Sequence, residues 1–175
     1  MADLLPEKWM KAMAVTTTVL GVVASIASSR SSFYITKSQL YTALEGSQWA
    51  YYQAKSIKQD LFATQVKSLQ VELLGAITPA QKDQLNQAIQ NASKDIVRYA
   101  QEKADIKKQA ELINKQNALA GQRGSQFSLA IVFAQIGIML SSVGVLLKQR
   151  EMWYVGLVFG FISLIFLVNG FLLYF

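Results

Sequence analysis

The chain has 175 residues, of which 52% are hydrophobic, carries a formal net charge of +6, and contains neither histidine nor cysteine. This composition is too apolar for a soluble domain with so few evident core segments, and it favours a membrane protein. The missing residue types remove imidazole catalysis, thiol nucleophiles and the usual soft metal sites. We therefore expect no enzyme and no cofactor. The basic residues are interspersed with acidic ones rather than clustered, so we also expect no nucleic-acid partner.

Residues 1–32 are predicted to form an N-terminal segment and a first transmembrane helix. Lys8 and Lys11 flank Trp9, and an apolar run over residues 10–29 is long enough to cross a bilayer of about 30 Å. A signal peptide is the alternative, because residues 25–27 resemble a small-residue cleavage site. We interpret the run as a retained anchor.

Residues 33–120 are polar and helix-favouring, and they are predicted to fold once, at residues 75–78, into a long antiparallel coiled-coil hairpin. Gly75 is expected to supply a left-handed helix stop. Thr78, Pro79 and Gln81 have the pattern of an N-cap, a first-turn proline and a capping box.

Both arms of this hairpin carry apolar residues at heptad spacing. In the second arm the seam is predicted at positions 85, 89, 92, 96, 99, 103, 106, 110, 113, 117 and 120. In the first arm the matching seam is predicted at Leu40, Ala43, Ser47, Ala50, Ala54, Ile57, Leu61, Thr64, Ser68 and Val71. The first arm has a second apolar line, which we expect another copy of the chain to cover: Tyr41, Leu44, Tyr51, Phe62, Val66, Leu69 and Leu73.

Two further spans are predicted over residues 127–147 and 152–175, joined by a short basic turn, so that residues 121–175 complete an all-α membrane protein with three transmembrane helices. Knees are predicted where hairpin and membrane meet, at residues 28–32 and 121–124, because both stretches interrupt the helical pattern. Whether the helices break or run through there, Arg30 and Arg123 are expected at the level of the lipid headgroups. Stripes of small residues in the spans permit close helix contact. In the first helix these are Ala14, Thr17, Gly21, Ser25 and Ser28, and in the other two they are Ala130, Ala134, Gly137, Ser141, Gly144, Gly156 and Gly160.

Residues 12–29, 125–147 and 152–175 contain no Asp, Glu, Lys or Arg, which argues against a pump or a proton-coupled carrier. Their strongest polar groups are Gln135, Asn169 and the run of Thr16, Thr17 and Thr18. One interpretation is hydrogen bonding between helices. The other is a polar pore in a homo-oligomeric channel, lined by the three threonines or by a ring of Gln135 amides.

Residues 48–55 read Gln-Trp-Ala-Tyr-Tyr-Gln-Ala-Lys and place three aromatic side chains within four residues. Trp49 is expected to receive the ammonium of Lys103 on its ring, Tyr51 to meet a neighbouring protomer, and Tyr52 to lie between the two surfaces. An aromatic box for a small molecule is the alternative. In this segment and in its arrangement of membrane helices, the chain resembles the bacterial domain-of-unknown-function family 4337. The resemblance implies a protein of the bacterial inner membrane and no known activity.

We therefore expect a non-enzymatic, self-associating scaffold or accessory subunit, with membrane lipid, other copies of itself and a larger membrane complex as its partners. The basic turn at residues 148–151 places that turn and the N-terminus in the cytoplasm, and the hairpin in the periplasm.

Overall fold

A computed structural model describes residues 8–75 and 78–173, which form three α-helices and no strand. They are α1 (Lys8–Leu74), α2 (Pro79–Leu147) and α3 (Arg150–Leu172). Each helix contains a segment long and apolar enough to cross a membrane. The predicted all-helical class and its three apolar helical segments are confirmed, and α1 is a continuous helix of 67 residues.

The predicted capping box at the start of α2 is confirmed. The backbone N–H of Thr78 donates to Gln81 Oε1 at 3.1 Å, and the N–H of Gln81 donates back to Thr78 Oγ1 at 3.3 Å. The expected left-handed conformation of Gly75 is wrong, because no glycine among the described residues has a positive φ. The Gly75 N–H instead donates to the carbonyl of Glu72 at 3.0 Å, and this tight final turn closes α1 without a left-handed residue. Residues 76 and 77 of the predicted bend lie outside the described residues.

At the knees predicted for residues 28–32 and 121–124 the helices do not break, since α1 and α2 run through both positions. The small residues there bring the helices close together. A Cβ on Gly124 would lie 3.4 Å from Ile35 Cγ1, and the Ser31 and Ser128 hydroxyls are hydrogen-bonded at 2.8 Å. Glycine and serine are weak helix formers, but helix packing overrides that preference at this contact.

The end of α2 requires a left-handed residue, which Lys148 supplies with a φ of 52°. The N–H of Gln149 donates to the carbonyl of Gly144 at 3.0 Å, and the N–H of Lys148 to that of Val145 at 3.3 Å. These two hydrogen bonds form a Schellman motif, which terminates α2 and allows α3 to begin two residues later at Arg150.

The chain divides into two compact units. The three-helix unit combines Met1–Gln39 with Asn117–Phe175, and the two-helix unit is Leu40–Gln116. In the three-helix unit the buried hydrophobic side chains are those of Met13, Leu20, Val23, Ala27, Ala120, Phe127, Ala130 and Ala134.

Candidate functional site

The small residues predicted in α2 and α3 lie against each other in the three-helix unit. A Cβ on Gly137 would lie 2.9 Å from the carbonyl oxygen of Gly156, and one on Gly156 would lie 2.8 Å from Ser141 Oγ. Ala130, Ala134 and Ser141 are buried on the same face of α2. The hydroxyl of Ser163 donates to the carbonyl of Ala130 at 2.7 Å. The two backbones are therefore in direct contact, an approach that only small side chains allow.

The small stripe predicted in α1 does not take part in this contact, because Gly21 has nothing within 4 Å of an added Cβ and Ala14, Ser25 and Ser28 are exposed. Helix α1 instead inserts large side chains into the groove formed by α2 and α3. Leu20 would lie 2.8 Å from a Cβ on Gly160, and Met13 would lie 3.2 Å from one on Gly144. Glycines on two helices leave room that the third fills with leucine and methionine.

The polar side chains of the spans fall into three environments. The hydroxyls of Thr16 and Thr17 donate to the carbonyl of Met13 at 2.9 and 2.8 Å, and that of Thr18 donates to Ala14 at 3.0 Å. Asn169 is buried within the three-helix unit. Gln135 is exposed on the surface of α2. The threonine hydroxyl protons are therefore used within α1, and the Gln135 amide, unlike that of Asn169, is accessible.

In the two-helix unit, α1 and α2 pack antiparallel. Asn114 Nδ2 donates to Glu45 Oε1 at 3.0 Å, and farther along α1 the Phe62 ring stacks on Tyr99 at 5.7 Å. Every position of the seam predicted for α2 is buried or half-buried, from Leu85 to Ala120. The apolar row predicted on α2 is therefore covered.

The seam predicted for α1 is wrong, because all ten of its residues are exposed. The covered line of α1 includes most of the second apolar line, which we expected to remain uncovered, although Leu44 and Tyr51 on that line are exposed. The covered line carries the aromatic rings of Tyr41, Tyr52 and Phe62, and covering a ring removes more apolar area from water than covering an alanine or serine side chain. The covered positions of α1 in this unit are Tyr41, Glu45, Gln48, Tyr52, Lys55, Ser56, Gln59, Phe62, Ala63, Val66, Leu69 and Leu73.

Lys103 does not contact Trp49, so the expected ammonium–indole contact is wrong. Its Nζ donates to Ser56 Oγ at 2.9 Å and to Gln59 Oε1 at 3.1 Å, and it lies 5.0 Å from the Tyr52 ring centroid. The shift follows from the change of covered line on α1, which brings Tyr52 rather than Trp49 towards α2. Trp49 packs edge-on against Tyr52 at 5.6 Å.

Lys55 forms a second polar contact between the helices. Its ammonium pairs with the Glu102 carboxylate at 2.5 Å and lies 5.0 and 5.3 Å from the Tyr51 and Tyr99 ring centroids. The hydrogen bond between them raises the pKa of Lys55 above its usual 10.5 and lowers the pKa of Glu102 below its usual 4.5. Arg98 also approaches Glu102, with 3.8 Å between Nε and Oε1.

Together these contacts position α1 on α2, and no group of three or more metal-binding side chains occurs in the part of the chain that the structure describes. Polar pairs at fixed positions in an apolar seam specify one register over others. The pair of Lys55 and Glu102 was not predicted from the sequence. Its signal was a lysine at the end of the aromatic segment, facing an arm that carries several acidic residues.

Comparison with known proteins gives one family match. The family model described as "Domain of unknown function (DUF4337)" matches residues 9–173. No curated protein and no solved structure matches the chain. The match covers all three helices and the aromatic segment, and the chain belongs to the DUF4337 family.

Proposed function

We propose that this protein is a non-enzymatic, self-associating integral membrane protein whose three spans anchor a rigid antiparallel coiled-coil hairpin, and that it acts as a structural scaffold or an accessory subunit of a larger membrane complex. The apolar segments of all three helices support the spans, since each is long enough for a bilayer. Aromatic and basic side chains pair at both ends of the three-helix unit, as at membrane interfaces. Arg150 lies 5.6 Å from the Trp9 ring, and Arg30 lies 5.6 Å from the Phe171 ring.

We place the protein in the bacterial inner membrane, with the N-terminus and the basic turn before α3 in the cytoplasm and the hairpin in the periplasm. The support is the charge of that turn, where Lys148 and Arg150 lie within a few residues of two spans. Short basic loops between spans remain on the cytoplasmic side.

The observation that carries self-association is the apolar surface of the two-helix unit, outside the predicted spans. Ile57 is 69% exposed, Leu61 is 64% exposed and Val71 is 70% exposed. Large aliphatic side chains at regular spacing on one helix are costly to leave in water and mark an interaction surface. The contacts within the unit join one helix to the other, which suits a rigid spacer.

The test is the native mass of the full chain in lipid nanodiscs, measured over a range of protein concentrations. We expect a dimer or a larger defined assembly. A protein that stays monomeric throughout would contradict self-association and, with it, the scaffold made of several copies.

A homo-oligomeric channel is the second candidate, and the exposure of Gln135 favours it. An amide on the outer surface of a membrane helix gains most when it contacts another polar group, such as the same amide in a neighbouring copy. Planar-bilayer conductance of the purified protein, compared with that of Gln135→Leu, separates the two functions. A conductance that Gln135→Leu abolishes would establish the channel, and the absence of any conductance would favour the scaffold.

A further inference from the structure

One face of α1 in the two-helix unit is exposed and carries a regular row of apolar and small residues. This α1 stripe consists of Leu40, Ala43, Ser47, Ala50, Ala54, Ile57, Leu61, Thr64, Ser68 and Val71, all of them exposed. Seven of the twelve covered positions of α1, among them Tyr52 and Gln59, follow a stripe residue by two positions. Two residues correspond to about 200° around a helix. The stripe therefore lies almost opposite the surface that α2 covers.

The stripe has the spacing of a coiled-coil seam. Its positions alternate between steps of three and four residues, and the row continues for more than four heptads without one charged side chain. Rows of this length are sufficient for a stable coiled coil. We infer that the α1 stripe is the seam between two copies of this chain, in which α1 packs on α1 in parallel and in register. This inference rests on the proposed self-association and names the surface that mediates it.

The charges beside the stripe fit a second copy in this arrangement. In a parallel coiled-coil dimer, the residue at heptad position g faces the residue at position e of the partner helix, five positions later in the sequence. In the α1 stripe, the g positions directly precede Ala54, Leu61 and Ser68. Lys67 then faces Glu72 of the second copy, and Asp60 faces Gln65. Similarly, Gln53 faces Lys58. The pairing therefore brings one pair of opposite charges together and no pair of like charges.

The side-chain volumes along the stripe also suit self-pairing. Ile57 and Leu61 of one copy pack on the same residues of the other, and they provide the apolar centre of the seam. The small side chains of Ser47, Ala50 and Ala54 let the two backbones approach on one side of that centre.

The parallel direction follows from the continuity of α1. The helix runs without interruption from Lys8 to Leu74, so copies inserted in one membrane with the same topology send their α1 helices the same way. An antiparallel pair would instead place Leu40 opposite Val71 and Ala54 opposite Ile57.

Site-specific disulfide formation tests this seam, because the chain has no cysteine of its own. Single cysteines are introduced by Leu40→Cys, Ile57→Cys and Val71→Cys in the full chain, which is oxidised in its native membrane and analysed on non-reducing gels. Val97→Cys is the matched control, since Val97 is an apolar residue of α2 that is 58% exposed. We expect each of the three stripe variants to form a covalent dimer by itself, at least tenfold more than the control.

Three outcomes would overturn the inference. Dimers that form only when Leu40→Cys and Val71→Cys are mixed would indicate an antiparallel seam. Equal cross-linking of Val97→Cys would indicate random collision. If no stripe variant cross-links although the native mass shows an assembly, the proposed seam is wrong and the proposed self-association remains. A monomeric native mass would contradict both the seam and the self-association.

A charge substitution provides an independent measurement. Ile57→Glu places a carboxylate in the centre of the proposed seam at a position that is exposed in the single chain, so the helices of one copy should form normally. We expect unchanged helical circular dichroism and a dimer dissociation constant at least tenfold higher. An unaltered dissociation constant would exclude Ile57 from the seam.

Discussion

The contact between Gly137 and Gly156 predicts how the three-helix unit responds to one added methyl group. In Gly156→Ala the new Cβ would lie 2.8 Å from Ser141 Oγ and 2.9 Å from the carbonyl oxygen of Gly137. The serine hydroxyl can rotate away, but the carbonyl belongs to the backbone of α2 and moves only with the helix. Such overpacking costs about 1–3 kcal/mol.

Gly21→Ala is the matched control, because it makes the same chemical change in a predicted span where nothing lies within 4 Å of the new Cβ. Both variants gain the same helix propensity, about 1 kcal/mol for replacing glycine by alanine. The difference between them therefore isolates the helix contact at about 1–3 kcal/mol. For a chain of this size, 1 kcal/mol corresponds to a shift in Tm of roughly 2–4 °C.

Thermal unfolding of the full chain in detergent, followed by circular dichroism, measures this difference. We expect Gly156→Ala to melt about 2–12 °C below Gly21→Ala, and Gly137→Ala to behave like Gly156→Ala. Equal melting temperatures for Gly156→Ala and Gly21→Ala would refute the close contact between α2 and α3.

Three further predictions concern the hairpin and its orientation. In intact cells, a cysteine at Gln81 should react with an impermeant maleimide and one at Gln149 should not, and the reverse pattern would invert the proposed topology. Lys103→Met keeps the aliphatic stem but removes two hydrogen bonds and the ammonium near the Tyr52 ring. It should lower the free energy of unfolding, measured by denaturant titration, by about 1–3 kcal/mol. An unchanged free energy of unfolding would show that these contacts contribute nothing to stability. The pKa of Glu102 is lowered and that of Lys55 is raised, so their ion pair stabilises the fold between about pH 4.5 and 10.5. This stabilisation is lost as the pH falls through the pKa of Glu102 or rises through the pKa of Lys55. Thermal unfolding from pH 2 to 7 should therefore show a smaller acid-induced decrease in Glu102→Gln than in the unaltered chain, and identical acid profiles would contradict this role.

The elements that sequence reasoning predicted correctly are those set by local chemistry. The capping box at Thr78 depends on residues three positions apart, and its hydrogen bonds form as expected. The α2 seam was also predictable, because that helix carries one apolar row and any partner must cover it. The family resemblance was based on residues 48–55 and on the arrangement of the apolar segments, and the family match extends over residues 9–173.

The helix continuity at residues 28–32 and 121–124 was not predictable from local preference. Glycine and serine disfavour helix interiors when nothing packs on them, and they favour helix interiors where two backbones must come close. Only the pairing of Ser31 with Ser128, nearly a hundred residues apart in sequence, distinguishes these cases.

The phase of α1 was missed for a related reason. Helix α1 carries two apolar rows, and its own sequence does not say which one α2 covers. The choice depends on cross-helix pairs such as Lys103 with Ser56 and Phe62 with Tyr99. The spacing of apolar residues along α1 does not specify those pairs.

The two rows also account for the unusual composition of the aromatic segment. Tyr52 and Lys55 lie on the row that faces α2, where large and charged side chains contact Lys103 and Glu102. Ala50 and Ala54, in the same eight residues, lie on the α1 stripe, where the proposed pairing with a second copy needs small side chains. The segment therefore contributes residues to both surfaces of α1. Ala50→Tyr should weaken the contact between copies and leave the packing of α1 on α2 intact.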